Sequence, residues 1–240
     1  MKLLYEKRSA QKLIQVVEED GRRLLLLEGR GEIHSEWDPK KPMLSPAHEH
    51  YWNLMTFFTL SHATAKDVLI VGLGAGTCAR QLLMYRPELN IDGIEIDTEV
   101  TDIAKQFFGL DELRVKIHHE DAIAHLTASK KKYDVIIVDA FIKGNLGIQF
   151  TTPEFYALVK KHLSRGGLVI INYLCEKDWQ PRLRSAVHEH FKSCRQVGIP
   201  TTYNYVAIVS DTEFDISSVP GLDDDIKRLK NFILEHIESL

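Results

Sequence analysis

Apolar residues in this chain come in short runs, separated by polar and glycine-marked gaps. Asp67-Val68-Leu69-Ile70-Val71 is the kind of continuous apolar run that a sheet buries on both faces. It empties into Gly72-Leu73-Gly74-Ala75-Gly76 and then into a helix-forming segment. From there strand and helix patterns alternate. The spacing predicts strands at Val68–Val71, Asn90–Ile96, Arg114–His118, Val135–Val138, Leu168–Tyr173 and Tyr203–Val209. Helices are predicted near Thr77–Tyr85, Thr98–Phe107, Asp121–Thr127, Pro153–Leu163 and Gln180–Phe191. This alternation predicts an α/β fold: a doubly wound, mostly parallel, Rossmann-like sheet with its ligand crevice at the C-terminal ends of the strands.

Upstream, Leu13–Val17 and Leu24–Leu27 read as short strands around a turn at Glu19-Asp20-Gly21. A polar loop with prolines, Ser35 to Pro46, then leads into a helix from Tyr51 to Leu60. The expected organisation is a small N-terminal β-strand unit and loop over residues 1–50 and a Rossmann-like nucleoside-binding catalytic domain over residues 51–240. Gly166-Gly167 is expected to close one helix and turn into the next strand. In the tail from Leu222 to Leu240, Ile226, Leu229, Ile233 and Ile237 recur at helical spacing, which suits a helix docked on its own domain.

Composition narrows the classes. With 44% hydrophobic and 27% charged residues, the chain reads as an ordinary globular protein. A net charge of −4 argues against a general nucleic-acid binder, and Lys130-Lys131-Lys132 reads as a solvated turn. No apolar stretch is long enough to span a bilayer, and no secretory signal opens the chain. Cys78, Cys175 and Cys194 lack metal-type spacing and read as reduced thiols, so a cytoplasmic location is expected.

The glycine run is where chemistry enters. Gly72 can take backbone angles closed to other residues, Gly74 lets a ligand approach the main chain, and Gly76 lets the helix pack against the strand. The Gly-x-Gly-x-Gly spacing favours a nucleoside of the S-adenosylmethionine (SAM) type over NAD, on a sheet of the SAM-methyltransferase type. Glu95 stands where a carboxylate would grip both ribose hydroxyls. Asp97 suits a helix N-cap. Asp121 could accept a hydrogen bond from an adenine amino group, cap a helix, or do both. Asp139 ends the apolar strand Val135–Val138, where an acid could stabilise a sulfonium or take a proton from an attacking amine. His48 and His50 lack a matching third ligand, so no metal is expected.

From about Gln11 to Ser210 the chain resembles the spermidine synthase (polyamine aminopropyltransferase) family. The resemblance is carried by Asp67–Gly76, by Gly93-Ile94-Glu95-Ile96-Asp97 and by Glu120-Asp121-Ala122. Its most specific parts are Tyr133-Asp134-Val135-Ile136-Ile137-Val138-Asp139 and Phe150-Thr151-Thr152-Pro153-Glu154-Phe155-Tyr156. It implies transfer of the aminopropyl group of decarboxylated SAM to a small-molecule amine. In that role Glu95 holds the ribose, Asp121 and Ala122 form the adenine site, and Asp139 helps deprotonate the nucleophile. A homodimer is implied as well. The family's pattern is broken at Ala75 and Ile142, where acids usually stand. Around Ala47, His48, Tyr51 and Trp52 only the tyrosine of the acceptor segment remains. His48, Tyr51 and Trp52 could then form an aromatic acceptor pocket, with cation–π contacts partly replacing carboxylates. A methyltransferase using intact SAM, whose carboxylate would suit main-chain N–H groups, and a non-catalytic nucleoside binder are the alternatives.

Overall fold

The computed structural model describes residues 1–10, 12–27, 33–40, 50–142, 144–174, 179–199, 202–212, 216 and 224–240. Strands β1 (Lys2–Arg8), β2 (Leu13–Glu19), β3 (Arg22–Leu27) and β4 (Ile33–Trp37) pair in that order as an antiparallel meander. Between β2 and β3, Asp20 and Gly21 take φ of 52 and 82, the left-handed pair of a tight two-residue hairpin. β1 was not expected, because it is a largely exposed edge strand with little apolar pattern. β4 overturns part of the predicted Ser35–Pro46 loop: Ser35 is buried in it, and residues 41–46 of that loop lie outside the described residues.

Helix α1 (Tyr51–Ser61) leads into the main sheet. Its first half runs β5 (Asp67–Val71), α2 (Thr77–Tyr85), β6 (Asn90–Ile94), α3 (Thr98–Phe108), β7 (Val115–His118), α4 (Ala122–Ala128) and β8 (Tyr133–Val138). A small hairpin, β9 (Phe141–Ile142) and β10 (Asn145–Leu146), precedes α5 (Pro153–His162), β11 (Leu163–Leu174) and α6 (Trp179–His188). The chain ends with β12 (Ser193–Ile199), β13 (Asn204–Ser210), α7 (Asp224–His236) and β14 (Ile237–Ser239).

The main sheet has the order β14-β12-β13-β11-β8-β5-β6-β7. β11, β8, β5, β6 and β7 are mutually parallel, while β13 is antiparallel to both β11 and β12. β12 therefore points the same way as those five, and the mostly parallel, doubly wound sheet expected from the alternation is present. Side chains along β8 show why both faces are apolar. Val135 and Ile137 join a core with α1, α2, α3 and α7, whereas Ile136 and Val138 join a core with α4, α5 and α6. Chain order reverses at β5, which has β6 on one side and β8 on the other, so a crevice opens above that point.

Further expectations are corrected. Gly166-Gly167 does not close a helix: α5 ends at His162, and both glycines lie within β11. Residues 193–199 form a strand that alternation did not reveal, because Gln196 is a buried polar position bonded to Glu238 and Tyr173. The predicted C-terminal helix stops at His236, and Ile237–Ser239 pairs with β12 as an edge strand; Ile226, Leu229 and Ile233 do face the core. Lys131 is not a solvated turn residue: its ammonium bridges Asp92 (3.1 Å) and Asp67 (3.2 Å) and lies over the Tyr133 ring. Cys78 and Cys194 are free and buried, and burial pushes both thiols up to about 12; Cys175 lies outside the described residues. Among the described residues no helix is long and apolar enough to cross a membrane.

Gly72 sets how closely β5 and β8 approach. It has φ +88, and a Cβ there would lie 2.3 Å from the main-chain oxygen of Asp139. Gly166 has φ +78 but open space around it. Alanine at 166 should cost about 1–2 kcal/mol for the left-handed conformation alone. Alanine at 72 adds a backbone clash and should cost clearly more. Urea unfolding of both variants checks this, and equal losses would mean that the two strand ends are not in contact.

Candidate functional site

A cleft opens at the C-terminal ends of β5, β6 and β8. Of the residues predicted for a site, it brings together Gly72, Gly74, Glu95, Asp121, Ala122, Asp139, Tyr51 and Trp52. Gly76 is not among the lining residues. It caps α2 with φ +83, and a Cβ would lie 2.7 Å from Leu110 Cδ1, so its close neighbour is the segment after α3 and not the strand. His48 lies outside the described residues.

The glycine loop is tied down by its own main chain. The amides of Gly72 and Leu73 donate to the Ile94 carbonyl at 2.9 and 3.0 Å, and that of Gly76 donates to Leu73. The Gly74 amide donates to Glu95 Oε2 at 3.1 Å and the Ala75 amide to Ser35 Oγ at 3.1 Å. Every amide from residue 72 to residue 76 thus has a partner within the protein. Glu95 follows β6 directly and is buried; its other oxygen accepts from the Asp97 amide at 3.1 Å. Each carboxylate oxygen still has a lone pair for a second donor. Asp97 caps α3 as expected, accepting from the Glu99 amide at 3.1 Å. Asp121 is exposed and caps α4 through Oδ1, which accepts from the Ile123 and Ala124 amides at 2.9 Å each.

Asp139 leaves β8 with its amide bonded to the Val71 carbonyl at 2.8 Å, so its side chain sits beside the glycine loop. Its Oδ1 accepts from Asn172 Nδ2 at 2.7 Å, and Asn172 Oδ1 accepts in turn from Asn204 Nδ2 at 2.9 Å. The two asparagines are buried and anchor the carboxyl from β11 and β13. Burial raises the Asp139 carboxyl to about 8; the Asn172 hydrogen bond opposes the shift and the Glu95 charge adds to it. Neither asparagine was foreseen. A signal existed in Asn172, a polar residue within the apolar run Leu168–Tyr173, because a buried amide needs partners.

The remaining walls come from outside the main sheet. β4 supplies His34 and Ser35, and the Glu36 main chain exchanges two 2.9 Å hydrogen bonds with Thr77 Oγ1 at the start of α2. Burial, followed by the Lys12 charge, lowers His34 to about 4, which keeps its ring neutral at pH 7. Tyr51 donates its hydroxyl to the His34 carbonyl at 3.2 Å, and Trp52 stacks on His50 with centroids 4.3 Å apart. Ile142, on the hairpin after Asp139, and Gln149, Phe150, Lys12 and Glu120 also line the cleft.

The raised carboxyl gives a stability signature. The native state holds the Asp139 proton up to about 8, while the unfolded chain releases it near the ordinary carboxyl value, so stability contributed by this group falls as pH rises between those limits. Asp139→Asn should flatten that slope, gaining on the parent protein from pH 5 toward pH 9. Urea midpoints across that range check it, and parallel profiles would mean that the carboxyl ionises normally.

Residues 49–215 match the family model described as the spermine/spermidine synthase domain. A probable polyamine aminopropyl transferase of Bifidobacterium longum is 38% identical over 129 residues, covering 54% of this chain and 29% of that one. The chain spans less than two thirds of the length of the curated relatives it matches. Among solved structures, a probable spermidine synthase from Corynebacterium glutamicum superposes with TM-score 0.77 at 20% identity, covering 98% of this chain and 90% of that one. A spermidine synthase in complex with the transition-state analogue AdoDATO gives 0.72 at 19%, covering 91% and 76%. These two likenesses are of fold. The family-model match takes in the glycine loop, Glu95, Asp121 and Asp139 together, and by it the chain belongs to the spermine/spermidine synthase family.

Proposed function

We propose that this chain transfers an aminopropyl group from decarboxylated SAM to a small-molecule amine. The observation that carries the donor's identity is the glycine loop itself. Intact SAM would need main-chain N–H groups for its carboxylate, yet the amides of residues 72–76 are all bonded within the protein. A donor without a carboxylate makes no such demand. The curated relatives, described as polyamine aminopropyltransferases, and the AdoDATO complex of the fold neighbour point the same way.

In this reading Gly72 and Gly74 let the nucleoside lie against the loop, and Glu95 takes the ribose hydroxyls on its spare lone pairs. Ala122 and the uncapped oxygen of Asp121 flank the adenine, while Tyr51 and Trp52 face the acceptor. The acceptor nitrogen attacks the propyl carbon attached to sulfur. The C–S bond breaks, methylthioadenosine leaves with the electron pair, and the proton shed by the new C–N bond passes to Asp139. Asp139 must be ionised to receive it, although in the free protein it holds its proton to about 8. A sulfonium about 4 Å away contributes on the order of 4 kcal/mol at an effective dielectric of 20, enough to ionise such a group. The cationic donor therefore switches its own base on.

Incubating the protein with decarboxylated SAM and a panel of amines should release methylthioadenosine, with no S-adenosylhomocysteine formed from SAM. The reverse outcome would overturn the proposal. Asp139→Asn should retain methylthioadenosine affinity and lose turnover. Glu95→Gln should weaken that affinity by about 1–3 kcal/mol, the range for an impaired buried hydrogen bond.

Donor binding should also release a proton. Because the free carboxyl is protonated below about 8 and the bound one is ionised, affinity should rise from pH 6 toward 8 and then level. Calorimetry in buffers of different ionisation enthalpy measures the release. Buffer-independent heats would mean that Asp139 is already ionised in the free protein.

A further inference from the structure

At the rim of the cleft, which Glu120 helps to line, the end of β7 carries a cluster to which the proposed transfer assigns no role. His118 ends that strand, Glu120 follows it, and His125 projects from α4. One ligand atom from each of the three lies within 4.8 Å of the others. His125 Nδ1 is 2.9 Å from Glu120 Oε1, His118 Nδ1 is 3.8 Å from the same oxygen, and the two rings meet edge-on with centroids 4.4 Å apart. We infer that His118, Glu120 and His125 form a binding site for a single transition-metal ion of the zinc class, with a fourth position open to water.

Local structure supports the geometry. Asp121 caps α4 with two 2.9 Å hydrogen bonds, which fixes where the helix starts and hence where His125 stands relative to the strand end. Both imidazoles are largely buried, whereas the Glu120 side chain is 45% exposed and leaves a path for an ion and its water. A tetrahedral site with bonds of about 2.0–2.2 Å needs donor atoms roughly 3.3–3.6 Å apart. The two Glu120 pairs, at 2.9 and 3.8 Å, lie close to that separation, and the 4.8 Å limit on all three pairs leaves at most about 1.5 Å for the imidazoles to close.

The hydrogen bonding is incomplete without a further partner. His118 Nε2 and His125 Nε2 are buried and make no hydrogen bond. Glu120 Oε1 accepts from His125 Nδ1 at 2.9 Å, whereas His118 Nδ1, at 3.8 Å, is beyond hydrogen-bond reach of it. Behind His118, Asp92 Oδ2 lies 3.9 Å from Nε2 and is itself held by the Tyr133 hydroxyl at 2.8 Å and Lys131 at 3.1 Å. At 3.9 Å this carboxylate places negative charge behind the ring without a hydrogen bond to Nε2. Two nitrogen donors and one oxygen donor select zinc, cobalt, nickel or copper over calcium or magnesium.

The expectation of a metal-free protein rests on the cysteine spacing and on His48 and His50; His118, Glu120 and His125 form a separate cluster across the β7–α4 turn. The site does not depend on the reaction assigned to Asp139, and its test reads metal and not turnover. Full-length protein, treated with chelator and dialysed, should bind one equivalent of Zn²⁺ in calorimetry. Loaded with Co²⁺, it should show the intense visible bands of a four-coordinate ion. His118→Ala and His125→Ala should each weaken binding by at least about 10–100-fold, the range already seen when only the residues behind the ligands are lost. Glu120→Gln, at a partly exposed position, should fold and still weaken binding, and His119→Ala, at the exposed neighbour, should bind as the parent does. Sub-stoichiometric binding by the parent protein, or binding that survives in the His118→Ala/His125→Ala double variant, would overturn the assignment.

Discussion

The site depends on how closely two strand ends approach. The position that would carry a Cβ at residue 72 is occupied by the main chain of Asp139, so the turn leaving β5 and the turn leaving β8 are a single packed unit. Only glycine satisfies both the left-handed angle and the contact. The glycine loop and the strand-end Asp139 therefore share one crevice, which Glu95 also lines, because the backbone permits no wider spacing between residues 72 and 139. The same packing bonds the Asp139 amide to Val71 and points the carboxyl toward the loop.

Once that carboxyl is placed, its chemistry follows from what surrounds it. Two buried asparagines from β11 and β13 hold it through a chain of amide hydrogen bonds, and burial favours its protonated form. In the proposed reaction, a group kept neutral until a cation arrives would couple donor binding to base formation. Glu95 lies nearby but performs a second task, since its two oxygens also fasten Gly74 and Asp97. The glycine loop is thereby braced from below by Glu95 and from above by Ser35.

The small N-terminal sheet is part of this bracing. Lys7 and Tyr5 from β1 both reach Glu99 on α3, Ser9 reaches Asp97 at 2.7 Å, and Arg23 from β3 reaches the Phe107 carbonyl at 2.6 Å. The one ion pair among these contacts, Lys7–Glu99, stabilises weakly by itself. The joint effect of the contacts is to register the meander so that β4 lands on the start of α2, closing one wall of the cleft with His34 and Ser35. The apolar residues Ile14, Val16, Leu25 and Leu27 join the same core as α1 and make that docking firm.

Much of this was legible along the chain, for a local reason. Continuous apolar runs, the Asp20-Gly21 turn, the glycine spacing and the acids at strand ends are patterns of neighbours, and neighbours decide strand, turn and helix. They were enough to predict the parallel half of the sheet and to bring Glu95, Asp121 and Asp139 to one mouth. What escaped depended on contacts between distant segments. β4 is a strand because it pairs with β3 and seals the glycine loop, and Gln196 fits β12 because Tyr173 and Glu238 meet it there. Asn172 and Asn204 matter only through Asp139, and His118 and His125 matter only through the fold of the β7–α4 turn. Local preference determines which elements form. Which buried polar groups find one another, and so which carboxyl stays protonated and which imidazoles converge, is decided by burial and three-dimensional packing, and no run of consecutive residues encodes those.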